Sequence, residues 1–116
     1  MTKAHTLDGM YKLLAVLPAQ VRCDMVRMYC ESLESQVALL GQALAQGDVQ
    51  ASMAVAHKIA GSAAMMQDGE LSRVARGVEA ALREGRAEEA LRHWPGVQDC
   101  AGFTLGCLRQ DPLSPG

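Results

Sequence analysis

Apolar residues recur along most of this chain at intervals of three and four, the spacing that gathers them on one side of an α-helix. The cleanest case is 70–84: Leu71, Val74, Ala75, Val78, Ala81 and Leu82 form one stripe, with Arg73, Arg76, Glu79 and Arg83 on the polar side. A second stripe, Ser52, Val55, Ala56, Ile59, Ala63 and Met66, runs through 49–66. Across 19–46, Val21, Met25, Met28, Ser32, Val37, Leu40 and Leu44 keep roughly helical spacing, with no proline and one glycine, Gly41. Across 86–109 the stripe is Ala87, Ala90, Leu91, Trp94, Ala101, Leu105 and Leu108, interrupted by Pro95-Gly96. Proline inside a helix costs about 3 kcal/mol, so a kink or a break is expected there. At the start, Leu7, Met10, Leu14 and Leu17 mark a short helix over 6–17, with Thr6 as N-cap and Asp8 in the first turn. This helix reads as a cap on one end of a bundle or as a loosely held arm.

Residues that favour helix ends fall between these stripes. Pro18 suits the first position of a helix. Gly47 and Asp48 suit a C-cap followed by an N-cap. Gln67-Asp68-Gly69 is a turn signal, and Gly85 ends the next stripe. Helices joined so tightly must run antiparallel. The predicted fold is all-α: an antiparallel up-down-up-down four-helix bundle with an additional short N-terminal helix. At 116 residues the chain is expected to form one domain, 1–116, with flexible ends at 1–5 and 111–116.

Composition supports helices over sheets. Hydrophobic residues make up 49% of the chain but aromatic ones 3%, so Ala, Leu, Val and Met supply the apolar mass, a mix that favours helices over a sheet. The methionines Met25, Met28, Met65 and Met66 read as core filler. A net charge of −2 gives no basic footprint for nucleic acid. No apolar run of about 18 residues and no signal peptide is visible, so the expected location is cytoplasmic, as a monomer without direct membrane contact or as one domain of a longer, membrane-bound protein. Cys23 and Cys30, and likewise Cys100 and Cys107, stand i, i+7. That is about 10 Å along a helix, too far for one pair to chelate one ion, so buried or half-buried thiols are expected and no metal. A thiol or metal bundle built from all four is the outlying alternative.

His57 carries the candidate chemistry. At about 100° per residue it lies almost opposite the centre of its helix's apolar stripe and should point into solvent. Met53, Ala60, Gly61 and Ala64 share its face, so the ring stands over a low surface. Gly61, one turn on, costs about 1 kcal/mol against Ala, and close approach of another group is the usual reason for such a glycine. A neutral imidazole nitrogen can attack phosphorus and hold a phosphoryl group covalently, and an ordinary histidine is mostly neutral at pH 7. Ser62 lies roughly 140° from His57 and reads as a packing residue. His5 and His93 have no such setting.

Ala56-His57-Lys58-Ile59-Ala60-Gly61-Ser62-Ala63 resembles the signature of histidine-containing phosphotransfer (HPt) domains, Ala-His-x-Leu-Lys-Gly-Ser followed by small residues. Leu44-Ala45-Gln46-Gly47-Asp48 resembles that family's Leu-x-x-Gly-Asp turn. Tyr29 matches its aromatic on the second helix, and Leu71 with Val78-Glu79 its Leu…Leu-Glu. The resemblance covers roughly 7 to 110. It implies that His57 accepts a phosphoryl group from a receiver-domain aspartate and passes it to another. The partners implied are response-regulator receiver domains, with a hybrid sensor kinase as one source. The Mg²⁺ is expected on the receiver, and this chain is expected to need no cofactor. Consistently, it has no Gly-rich phosphate loop and so no kinase machinery of its own. Ala60, Gly61 and Ala64 would give clearance, and Met53, His57 and Gly61 would contact the partner. The family usually carries Lys where Ala60 stands. Lys58 is cationic but about 100° round the helix, and can help only by curling toward the phosphate. The missing Lys motivates the alternative of an adaptor that binds a receiver without transfer.

Overall fold

The computed structural model describes residues 6–110; the ends expected to be flexible, and His5 with them, lie outside the described residues. Five helices and no strand are found among the described residues: α1 (Asp8–Ala15), α2 (Ala19–Ala45), α3 (Val49–Met65), α4 (Gly69–Arg83) and α5 (Ala87–Gln110). None is long and apolar enough to cross a membrane.

The same device ends α2, α3 and α4. One residue enters the left-handed region, Gly47 at φ +69°, Gln67 at +62° and Gly85 at +76°. Its N–H and the next then donate back to the last carbonyls: Gly47 to Leu44 and Asp48 to Ala43, Gln67 to Ala64 and Asp68 to Ala63, Gly85 to Leu82 and Arg86 to Ala81. These paired bonds satisfy carbonyls that a helix end leaves open. Gln67 does so without glycine's freedom, at a cost of roughly 1 kcal/mol. Asp48 then caps α3, its Oδ1 accepting from the Ala51 N–H at 3.0 Å.

Cross-helix contacts fix the directions. His57 meets Glu79 while Ala60 meets Ser72, so α3 and α4 run oppositely. Gly77 lies against His93 while Gly96 lies against Val74, so α4 and α5 do too. Trp94 of α5 sits against Gly41 in the second half of α2. Tyr29 and Thr104 both reach Asp68, in the turn after α3. α2 therefore opposes α5 and the ring closes. α2 and α5, at 27 and 24 residues, overhang the α3–α4 turn. α1 packs into that end, burying Leu7, Met10 and Leu14 in the core, with Gly9 against Gln67.

Several sequence expectations need correction. Thr6 does not cap α1; Leu7 holds that position with no side-chain hydrogen bond. Pro18 precedes α2 as its N-cap residue rather than opening it. The apolar face of α2 is Val26, Tyr29, Cys30, Leu33, Leu40 and Ala43. Val21 and Met28 point outward with Leu39, and this second, exposed row of apolar side chains is what displaced the reading of the first. Met65 is 80% exposed rather than core, because it lies on the outward face of α3, one turn after the exposed Gly61, while Met66 beside it is buried. In α5, Ala87 and Leu91 are exposed, and the buried face is Ala90, Val97, Cys100, Ala101, Thr104 and Leu108. No break occurs at Pro95, which lies inside the helix; Pro95 and Leu91, one turn before it, are both exposed, so the carbonyl that loses its donor lies on the solvated side. A Cβ built on Gly96 would meet Val74 only at ordinary contact distance, 3.7 Å, so α5 lies against α4 there without needing the glycine.

Candidate functional site

α3 lies close to α4 because its inward residues are small. Ser52, Ala56, Ile59, Ala60 and Ala63 are buried, and Ser72 of α4 donates its hydroxyl to the Ala60 carbonyl at 3.0 Å. That register brings Glu79 of α4 opposite His57.

The His57 side chain is 74% exposed, and its Nδ1 lies 3.0 Å from Oε2 of Glu79, whose side chain is 12% exposed. A carboxylate can only accept, so Nδ1 carries the hydrogen. The same oxygen accepts from Nη2 of Arg83 at 2.7 Å. Glu79 is thereby held from two sides, and it holds the ring. Among the described residues Nε2 of His57 has no partner. With Nδ1–H turned to Glu79, an uncharged imidazole in this position has its Nε2 lone pair outward, the arrangement of an imidazole nucleophile.

Beside the ring is a surface hollow of about 380 Å³, lined by His57, Ala60, Gly61, Arg76, Glu79, Ala80 and Arg83. Gly61 is exposed, and a Cβ built on it would meet no atom of this chain within 4 Å. No packing inside the protein therefore explains the glycine. Ala60 is buried against α4, where Ser72 bonds its carbonyl, and offers the hollow only its floor. Ala64 is half-buried and lines a neighbouring hollow with Gln67, Gly69, Ser72, Arg73 and Arg76. Lys58 is exposed but outside the His57 hollow. Met53 is half-buried and packed on the core, so it presents less to a partner than its position on the helix suggested. Ser62 is half-buried. His93, read as a surface residue, is half-buried against Gly77.

The sequence reading named Glu79 in the family's Leu-Glu pair and placed Arg76, Glu79 and Arg83 on the polar side of α4, but gave none of them, nor Asp68, its place at this site. Glu79 and Arg83 form an i, i+4 acid-to-base pair on the polar side of α4, a recognisable signal, but which α3 residue they face depends on the helix register. Arg76 gave no signal beyond its charge. Asp68, read as part of a turn, is fully buried, and its Oδ2 accepts from Tyr29 Oη at 3.0 Å and Thr104 Oγ1 at 2.7 Å. This carboxylate ties α2, the α3–α4 turn and α5 together below the histidine. Burial, and then the charge and hydrogen bond of Asp68, push the Tyr29 hydroxyl far above its usual pKa.

None of the four cysteines is in a disulfide; Cys30 and Cys100 are buried and Cys23 and Cys107 half-buried. Among the described residues no three His, Cys, Asp or Glu side chains gather as a metal site.

No curated protein and no solved structure matches the chain. A family model described as the Hpt domain matches residues 24–105. That span begins inside α2, ends inside α5 and contains both His57 and Glu79, and the chain belongs to the Hpt domain family.

Proposed function

We propose that this chain takes a phosphoryl group onto Nε2 of His57 from the aspartyl phosphate of one receiver domain and passes it to the aspartate of another. Hpt domains serve histidine phosphotransfer in two-component systems and work with receiver domains. The observation that carries the reading to His57 is its pairing with Glu79. The ring is exposed, its Nδ1 is fixed on a carboxylate and its Nε2 is left open beside a bare glycine.

In the reaction the Nε2 lone pair attacks phosphorus, the Asp–O–P bond breaks and the receiver recovers its carboxylate. The hydrogen on Nδ1 stays. The ring becomes a cation, which Glu79 stabilises, so no general base is needed for the first step. The Mg²⁺ and the acidic pocket are assigned to the receiver. Gly61 and the floor at Ala60 leave room for the phosphoryl oxygens and the partner's rim.

The specific observation that favours a second reading, an adaptor that binds a receiver without transfer, is the uncharged Ala60. The two readings part in one experiment. Incubation with a receiver carrying labelled phosphate should put acid-labile label on the wild-type chain and none on His57→Gln. Receiver binding with no label on the wild type selects the adaptor. Label retained by His57→Gln refutes the assignment of His57.

A further inference from the structure

We infer that Arg76, reaching across from α4, is the cation that holds the phosphoryl oxygens on His57, a role that rests on the phosphotransfer reading above. Three observations lead there. Residue 60, one turn after His57 on α3, is a buried alanine that can carry no charge into the hollow. Lys58 is not among the residues lining the hollow, whereas Arg76 and Arg83 are. Of these two, Arg83 is bound to Glu79 at 2.7 Å, and its charge is matched there. Arg76 is exposed and makes no ion pair among the described residues, so it is the surplus positive charge at this edge of His57.

The need for such a charge follows from Glu79. The carboxylate that orients the ring also faces an incoming phosphoryl group, and like charges repel. Arg83 offsets that carboxylate, but beside the ring α3 lines the hollow only with Ala60 and Gly61, neither of which answers the phosphoryl charge. A guanidinium can take two oxygens through parallel N–H donors, which a flexible lysine cannot do with the same geometry. Arg76 stands three residues before Glu79 on the same face of α4 and shares its hollow. It acts on the phosphoryl group directly, without contacting the imidazole.

The test uses phosphoramidate as a small donor, so that partner docking plays no part: its P–N bond breaks as the Nε2–P bond forms, and ammonia leaves. Wild type, Arg76→Ala, Arg76→Lys and Arg73→Ala are compared by rate of His57 phosphorylation and by ³¹P NMR titration of the product. Arg73 is paired with Glu70 and lies outside the His57 hollow. The expected result is a rate about tenfold lower for Arg76→Ala, with the phosphoryl group titrating roughly half a unit higher because a neighbouring cation is gone. Arg76→Lys recovers most of the titration shift and part of the rate, and Arg73→Ala matches wild type. A wild-type rate with an unshifted titration in Arg76→Ala overturns the inference and leaves the phosphotransfer reading standing. A lower rate with an unshifted titration also overturns it, since the loss then comes from structure. If wild type takes phosphate neither from phosphoramidate nor from a phosphorylated receiver, the phosphotransfer reading fails, and the inference with it.

Discussion

Nδ1 of His57 lies 3.0 Å from Oε2 of Glu79, across the seam between α3 and α4. This contact turns an exposed surface histidine into an oriented one. It selects the tautomer with hydrogen on Nδ1 and offers the other nitrogen to solvent. It also ties the site to the bundle, because Glu79 is in position only while α3 and α4 keep their register.

Removing that carboxylate should free the ring. In Glu79→Ala the ¹⁵N spectrum of His57 is expected to lose its bias toward the Nδ1–H tautomer. Phosphorylation by a receiver should fall by about 100-fold, the lower end of the weight of one preorganised hydrogen-bonding group in catalysis. Stability should fall by no more than about 1 kcal/mol, since both partners of Glu79, His57 and Arg83, are mostly exposed. An unchanged tautomer and rate would show that Glu79 is only a surface neighbour.

Gly61 separates folding from docking. Gly61→Ala should stabilise the bundle by up to about 1 kcal/mol, because the added Cβ meets nothing in this chain. A larger side chain, as in Gly61→Leu, should slow transfer from a receiver by up to about 100-fold, since a displacement of about 1 Å between reacting groups costs that much. Urea denaturation and stopped transfer assays measure the two effects. A Gly61→Leu protein that transfers normally would mean that no partner approaches this face.

The buried Asp68 should be a stability residue and not a chemical one. Tyr29→Phe or Thr104→Val each removes one donor to its Oδ2. Each should cost about 1.5–3 kcal/mol, the range for hydrogen bonds to charged groups, read as a lower urea midpoint. Phosphorylation of the folded fraction should persist. Because the folded Tyr29 pKa is raised, its contribution is whole below the unfolded value near ~10 and falls as pH rises beyond it. Tyr29→Phe should lack that part of the alkaline loss.

The thiols give a second pH window. Burial, followed by the charges of Glu70 and Asp68, pushes the Cys100 thiol from 9.0 up to about 11. Above pH 9 the unfolded chain therefore gives up this proton while the folded chain keeps it, and stability falls as pH rises toward 11. Cys30, raised chiefly by burial, adds to the same loss. Cys100→Ala should flatten the decline in urea midpoint between pH 8.5 and 10.5. Alkylation of the native protein at pH 8, followed by mass spectrometry, should mark Cys23 and Cys107 before Cys30 and Cys100.

Local spacing and end chemistry made much of the fold legible. The stripe in α4 is the observed one except that Val74 is half-buried and Ser72, absent from the stripe, is buried. Gly47, Asp48 and Gly85 end and start helices as their residue types require. His57 could be seen to face outward because its own helix has a single apolar stripe. α2 was misread because it has two apolar rows, and spacing alone does not say which one meets the other helices. The partners of His57 were hidden for a related reason. Glu79 is 22 residues away, and only the docking of α3 on α4 brings it to the ring. Asp68 was hidden more deeply: a carboxylate in a turn reads as solvated until Tyr29 and Thr104, on two other helices, are seen to surround it.

The most direct measurement is to phosphorylate ¹⁵N-histidine-labelled protein with a phosphorylated receiver and locate the phosphoryl group by ³¹P–¹⁵N coupling. The expected result is one coupled nitrogen, Nε2 of His57, with the Nδ1 hydrogen retained beside Glu79. Phosphate on another residue, on Nδ1 of His57, or on no histidine at all would contradict the assignment.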